Sequence, residues 1–199
     1  MATSPELYII FESYIKNVKP LLRDIKEKRG RLPDNLLNEV RALNDHVARC
    51  YREGNRNVTL EITKAQGHLT RLQLDCFKEL NVIFHKKFDS YERLTYSSMW
   101  LRIDNGNFWR SYFHRRQTAY TAVLNAKLIE TLNVDNSLKN YEMAYQNNIE
   151  LDNLFKQHKW EIRGSFFIRI GEMVNRTISW IVITVLLSAI STMIQVYMS

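Results

Sequence analysis

Proline is absent from the chain after Pro33, and glycine occurs only six times in 199 residues, at Gly30, Gly54, Gly67, Gly106, Gly164 and Gly171. Strand-rich folds need turn residues every ~8–12 positions, and this chain does not supply them, so an all-α fold is expected. Cysteine is as scarce. Cys50 and Cys76 lie in helical-looking sequence with no Cys-x-x-Cys spacing, which excludes a disulfide framework and a structural zinc site. They are expected as small buried hydrophobes of a reducing compartment. Also missing are a repeat of solenoid period, a phosphate-binding glycine loop, a His-Glu-x-x-His pair and a Gly-x-Ser-x-Gly elbow. The five histidines (His46, His68, His85, His114, His158) are scattered. These absences argue against a conventional hydrolase or nucleotide-binding enzyme, and no metal or cofactor is expected.

Charge is missing in one place. The chain carries 28 Lys+Arg against 21 Asp+Glu, net +7, yet no Lys, Arg, Asp, Glu or His follows Arg176. Residues 178–198 form a 21-residue run dominated by Ile, Val, Leu, Trp and Met. As a helix that run would rise about 30 Å, the thickness of a bilayer's hydrocarbon core. It reads as a transmembrane helix. Residues 1–16 carry acids and helical periodicity, so no signal peptide is expected ahead of it. Lys156, Lys159, Arg163, Arg169 and Arg176 precede the run and nothing basic follows. The positive-inside rule then places the rest of the chain in the cytoplasm. The expected layout is a helical bundle over 1–164, a basic juxtamembrane stalk over 165–176 and the membrane helix over 177–198.

Within the run, Thr184, Ser188, Ser191, Thr192 and Gln195 fall in an arc of about 100°, opposite Leu186, Ile190, Met193 and Tyr197. Ser and Thr can satisfy themselves on carbonyls of their own helix. The alternative is that the stripe meets copies of itself. Small-x-x-x-small spacings (Thr184/Ser188, Ser188/Thr192) permit close helix approach, and a ring of such faces could enclose water. A homo-oligomer with a pore is expected, Trp180 and Tyr197 marking the two interfaces.

The remaining sequence predicts five helices. Ser4-Pro5-Glu6 opens the first, which carries Leu7, Ile10, Phe11, Tyr14, Val18, Leu21, Leu22 and Ile25, kinks at Pro20 and stops at Gly30. Pro33-Asp34 opens a second that stops at Gly54-Asn55. A third starts near Asn57 and runs toward Arg102, with a break expected between Phe84 and Tyr96. Asn105-Gly106-Asn107 is the clearest turn. A fourth helix covers 108–132, and Asp135 caps a fifth that continues past a bend at Gly164.

Two constellations carry candidate chemistry. Arg41-Ala42-Leu43-Asn44-Asp45-His46 is an Arg-x-x-x-x-His pair: the imidazole can move protons for a 2′-hydroxyl while the guanidinium stabilises phosphate charge. The alternative is a solvated helix face. Between Trp100 and Tyr120, aromatics alternate with Arg102, Arg110, His114, Arg115 and Arg116. Trp109, Arg110, Arg115 and Arg116 suit unpaired bases and phosphates, which makes RNA a candidate partner, and suit a core or subunit contact equally. The basic balance fits anionic headgroups as well.

The Arg41/His46 pair is similar to the signature of HEPN domains, helical bundles in which Arg and His of two protomers meet to cleave RNA. A basic, cysteine-poor helical domain with that pair and one membrane span resembles the small membrane accessory proteins of type VI-B CRISPR systems, which look like divergent HEPN proteins. The resemblance implies antiviral defence. The chain would assemble in the inner (cytoplasmic) membrane and permeabilise it, enhancing a partner RNA-guided RNA-targeting nuclease, or would act as a membrane-tethered ribonuclease through Arg41 and His46. Ala42 and the early position of the pair depart from the nuclease pattern. A helical tail-anchored adaptor is a third reading. Asp104-Asn105-Gly106-Asn107-Phe108-Trp109-Arg110 is similar to the Asn-Trp-Gly-Arg element of apoptosis regulators, but lacks the glycine between Trp and Arg.

Overall fold

The computed structural model describes residues 5–52, 57–94 and 100–198, except the side chains of Leu94, Ser165, Phe166, Ile168, Arg169, Glu172 and residues 189–198. The described residues are almost all helical, with no strand among them, and the elements are α1 Pro5–Ser13, α2 Lys19–Arg29, α3 Asp34–Cys50, α4 Val58–Leu94, α5 Asn107–Ile129, α6 Val134–Gln157 and α7 Lys159–Met198. The all-α expectation holds. Ser4, Gly54 and Asn55 lie outside the described residues.

Local chemistry explains the breaks. A single π-turn, Tyr14–Val18, separates α1 from α2, and the Lys19 N–H reaches back to the Tyr14 carbonyl. Pro20 follows at once. Its ring excludes the ordinary position of the carbonyl four residues earlier and it has no N–H to donate. The chain takes up one extra residue, as a π-turn, just ahead of the proline at which a kink was expected. Gly30 ends α2 at φ 83°, a left-handed conformation that side chains disfavour. Pro33 precedes Asp34 as expected. The cap of α6 is Asn133, whose Oδ1 accepts from the Asn136 N–H at 2.9 Å. Asp135 sits within the first turn as a first-turn acid. The bend expected at Gly164 is instead a one-residue interruption at His158, and Gly164 lies inside the continuous helix α7. The described end of α4, Leu94, falls within the window expected for a break.

The chain divides into two compact units. Unit one comprises Met1–Ser90 and Tyr112–Asn153. Its core is read directly from helical spacing: Leu7, Ile10, Leu21 and Ile25 from α1–α2, Leu36, Leu43 and Val47 from α3, and Ile62, Ala65, Leu69, Leu72, Cys76, Leu80, Phe84 and Phe88 from α4 are all buried. Burial of such side chains is worth about 1.5–3 kcal/mol each before entropy. Ion pairs join the helices around that core: Arg29–Glu79 ties α2 to α4, Lys87–Asp152 ties α4 to α6, and Arg115–Glu150 ties α5 to α6.

Unit two comprises Tyr91–Ser111 and Leu154–Ser199. Trp100 forms its centre, with Phe108 and Phe155 each packed edge-on at 5.6 Å. The Asn105-Gly106 turn is present: Asp104, Asn105 and Gly106 all have positive φ (47°, 50° and 87°). α7 leaves this cluster as 40 uninterrupted helical residues, about 60 Å long. Among the described residues no helix is long and apolar enough to cross a membrane. In the uncharged run, side chains are described only as far as Ser188.

Candidate functional site

The most concentrated polar chemistry of unit one lies between α3 and α4. Glu39 and His46 stand seven residues apart on α3, and Glu61 and His68 stand seven apart on α4. Seven residues are two helical turns, so each pair shares a face. The helices run antiparallel, and the pairs meet crosswise. His46 Nδ1 lies 2.6 Å from Glu61 Oε2, and His68 Nδ1 lies 2.7 Å from Glu39 Oε2. A carboxylate can only accept, so both imidazoles donate from Nδ1, which leaves each Nε2 as the remaining proton site. The two rings stack with centroids 5.1 Å apart and planes 18° apart. The His46, His68 and Glu61 side chains are 13%, 17% and 10% exposed. The His46 hydrogen bond holds the Glu61 carboxyl below the usual glutamate range, against a smaller upward push from burial and with help from Lys64 and Arg49.

His46 is thus drawn into a four-residue cluster. Arg41, the other half of the sequence pair, is exposed and its Nη1 donates to Asn38 Oδ1 at 3.4 Å. Five residues along a helix set the two side chains about 140° apart, and the structure gives them different partners. His68, Glu39 and Glu61 escaped the sequence reading. The signal that finds them is the repeated Glu-x₆-His spacing on two successive helices, with a short connection that forces the antiparallel register. Cys50 donates to the His46 carbonyl at 3.3 Å, and burial, then the Glu61 charge, pushes its thiol up. Cys76 is buried and pushed up to about 12 by burial. Both stay thiols at neutral pH. Among the described residues no cluster of His, Cys, Asp or Glu could hold a metal ion.

The aromatic-arginine stretch divides between the units. In unit two, Trp109 is half-buried against Trp100 at 5.9 Å and Arg110 is exposed. In unit one, Arg115 pairs with Glu150, and Arg116 pairs with Asp89 at 2.5 Å and lies 5.8 Å over the Phe88 ring. Arg115 and Arg116 therefore already serve as helix-to-helix ties.

α7 presents a different kind of surface. Every side chain from Met173 to Ser188 is exposed. Trp180 is 63% exposed, and Ile181, Val185 and Leu187 are about as open. Ten consecutive residues of a helix point in every direction around its axis, so the rod is open on every side, with apolar side chains on most of its circumference. Thr184 donates to the Trp180 carbonyl at 2.8 Å and so satisfies its hydroxyl within its own helix. Ser188 is also exposed, and the side chains of Ser191, Thr192, Gln195 and Tyr197 lie outside the described residues. No protein family matches the chain, and neither the curated proteins nor the solved structures hold a significant match to it.

Proposed function

We propose that this chain is a membrane-anchored helical effector that self-associates through α7 and permeabilises the bilayer. The observation that supports this most is the all-round exposure of α7. Ile178, Trp180, Ile181, Val182 and Leu187 lie on different faces of one helix and are each at least half open. A core helix would be covered on most sides, and an amphipathic helix on one. Water is a poor surrounding for such a surface, since each bulky apolar side chain left exposed forgoes about 1.5–3 kcal/mol. Lipid covers all faces at once, and the sequence continues without charge to position 198. The basic residues Lys159, Arg163 and Arg176 then stand on the cytoplasmic side. The polar stripe through Thr184, Ser188, Thr192 and Gln195 supplies the helix-helix contact. The biological setting, antiviral defence beside an RNA-guided nuclease, rests on the resemblance alone.

Purified full-length protein in liposomes should release an entrapped dye. Replacing Thr184, Ser188, Thr192 and Gln195 with leucine should leave the protein on the vesicles and reduce release to background. Undiminished release from that variant overturns the stripe as the pore-forming face.

A second reading, a tethered ribonuclease, gains support from the stacked imidazoles, because RNA cleavage by 2′-hydroxyl attack uses one general base and one general acid. It requires that His46→Ala or His68→Ala abolish cleavage of single-stranded RNA, and fails if both variants cleave as wild type does.

A further inference from the structure

We infer that copies of this chain associate along α7 outside the bilayer as well as within it, as a parallel left-handed helix bundle whose seam runs from Trp160 to Ser188. The inference deepens the proposed self-association through α7 and rests on it.

The register is a heptad. From Trp160, steps of seven reach Phe167, Val174, Ile181 and Ser188, and from Arg163 they reach Ile170, Thr177 and Thr184. These are the a and d positions of a coiled coil, alternately three and four residues apart. All nine side chains are exposed. A straight helix drifts about 20° per heptad, and a strict seven-residue repeat is taken up by left-handed supercoiling against a neighbour.

The chemistry of the seam inverts along its length. Ahead of Arg176, the last charge, it holds Trp160, Phe167, Ile170 and Val174, which are 76%, 69%, 42% and 51% exposed. The Arg163 guanidinium lies over the Trp160 ring, 5.5 Å from its centroid. The other charges between 160 and 176 (Glu161, Arg169, Glu172 and Arg176) fall in sequence at the outer b, c and f positions. Beyond Arg176 the order reverses. Thr177, Thr184 and Ser188 hold three of the four seam positions, while Val182, Ile183 and Leu186 hold three of the four outer ones. The outer positions thus follow the solvent, polar toward water and apolar toward lipid. The seam does the opposite on both sides, which is the pattern of a surface that meets neither solvent but another helix.

Lipid accounts for exposed apolar side chains beyond Arg176 and not for those before it, since Trp160 stands about 24 Å short of Arg176 along the axis. The helix is unbroken between the two stretches. A neighbour that meets Thr184 and Ser188 therefore also lies alongside Ile170 and Val174, and that neighbour is α7 of a second copy, inserted in the same direction. Two glycines flank the seam. Gly164 and Gly171 occupy successive e positions inside the helix, where glycine weakens it, and open space surrounds the place of each missing Cβ. Nothing within the chain requires a close approach there. A helix seated on the seam does.

Cysteine substitution in the full chain, reconstituted in liposomes, tests the seam, with the wild-type chain as the blank for Cys50 and Cys76. Under copper-phenanthroline oxidation, Phe167→Cys, Ile170→Cys, Val174→Cys and Ser188→Cys should each give disulfide-linked dimers. Glu161→Cys and Asn175→Cys, at outer positions, should give about tenfold less. Dimers from Ser188→Cys with none from the other three seam variants overturn the extension outside the bilayer and leave the membrane contact standing. No dimers at any position remove both, and equal yields at seam and outer positions overturn the register. In dodecyl maltoside, the double variant Phe167→Glu/Val174→Glu, at two exposed sites, should raise the association midpoint in sedimentation by about tenfold or more, and Asn175→Glu should not. An unshifted midpoint in the double variant overturns the inference.

Discussion

His46 and His68 stack ring on ring, 5.1 Å between centroids, and each gives its Nδ1 proton to a glutamate on the other's helix. The arrangement joins α3 to α4 by two crossed contacts and makes their packing sensitive to proton concentration. Glu61 has its carboxyl held below the usual range in the folded chain. The unfolded chain therefore takes up the proton first. The stabilisation is complete above the ordinary glutamate value and is lost as pH falls through the depressed folded value. Urea midpoints should drop across that acid window in wild type, and the drop should be smaller in Glu61→Gln. Identical pH profiles for the two proteins would remove Glu61 from the account.

The halves of the Arg41/His46 pair should separate on mutation. Arg41 is exposed with one long hydrogen bond, so Arg41→Ala should change stability by no more than about 0.5 kcal/mol. His46→Ala removes a ring stack and a short hydrogen bond, and should lower the melting temperature by about 3–8 °C. Thermal unfolding followed by circular dichroism distinguishes them. If Arg41→Ala costs as much as His46→Ala, the two act as a unit after all.

Removing Asn81 should cost more than removing Asn148. Asn81→Leu leaves both the Tyr141 carbonyl and the Asn148 amide without their partners, a loss of about 2–5 kcal/mol. Asn148→Leu strands only Asn81 Oδ1 and deletes an acceptor that had no donor, so about 0–2 kcal/mol is expected. Denaturant unfolding gives both values, and the reverse order would overturn the account of these amides as partners of one another.

Membrane insertion of α7 is tested near the middle of the uncharged run. Leu187→Arg places a charge where insertion is disfavoured by about 2.5–3.5 kcal/mol, so the fraction of protein floating with vesicles should fall steeply relative to wild type. Equal flotation would show that residues around Leu187 do not enter the hydrocarbon core.

How much of this was legible in the sequence depended on the range of the interaction. Gly30, Pro33 and Asn105-Gly106 act on their own backbone, and the chain turns where they stand. The core of α4 follows from its spacing, because an apolar stripe reports burial whichever element covers it. The π-turn before Pro20 was not legible, since a kink and a one-residue insertion both relieve the same clash. Asn133 was passed over for Asp135 because both can cap and only the path out of α5 decides between them. In the candidate site, His46 was visible as half of a motif. Its actual partners, Glu61 and His68, depend on the register of α3 against α4. Arg115 and Arg116 read as a surface patch because the acids that occupy them, Glu150 and Asp89, are distant in sequence.

The unbroken course of α7 has a geometric consequence. Eighteen residues are five whole turns, so Ser188 and Ile170 point the same way from the axis of the rod. Gly164 and Gly171 lie within the helix without interrupting it, and no swivel separates the two levels. Any contact that fixes the azimuth of Ser188 also fixes the azimuth of Ile170 about 27 Å away. Helix rotation at one level is transmitted to the other as torque.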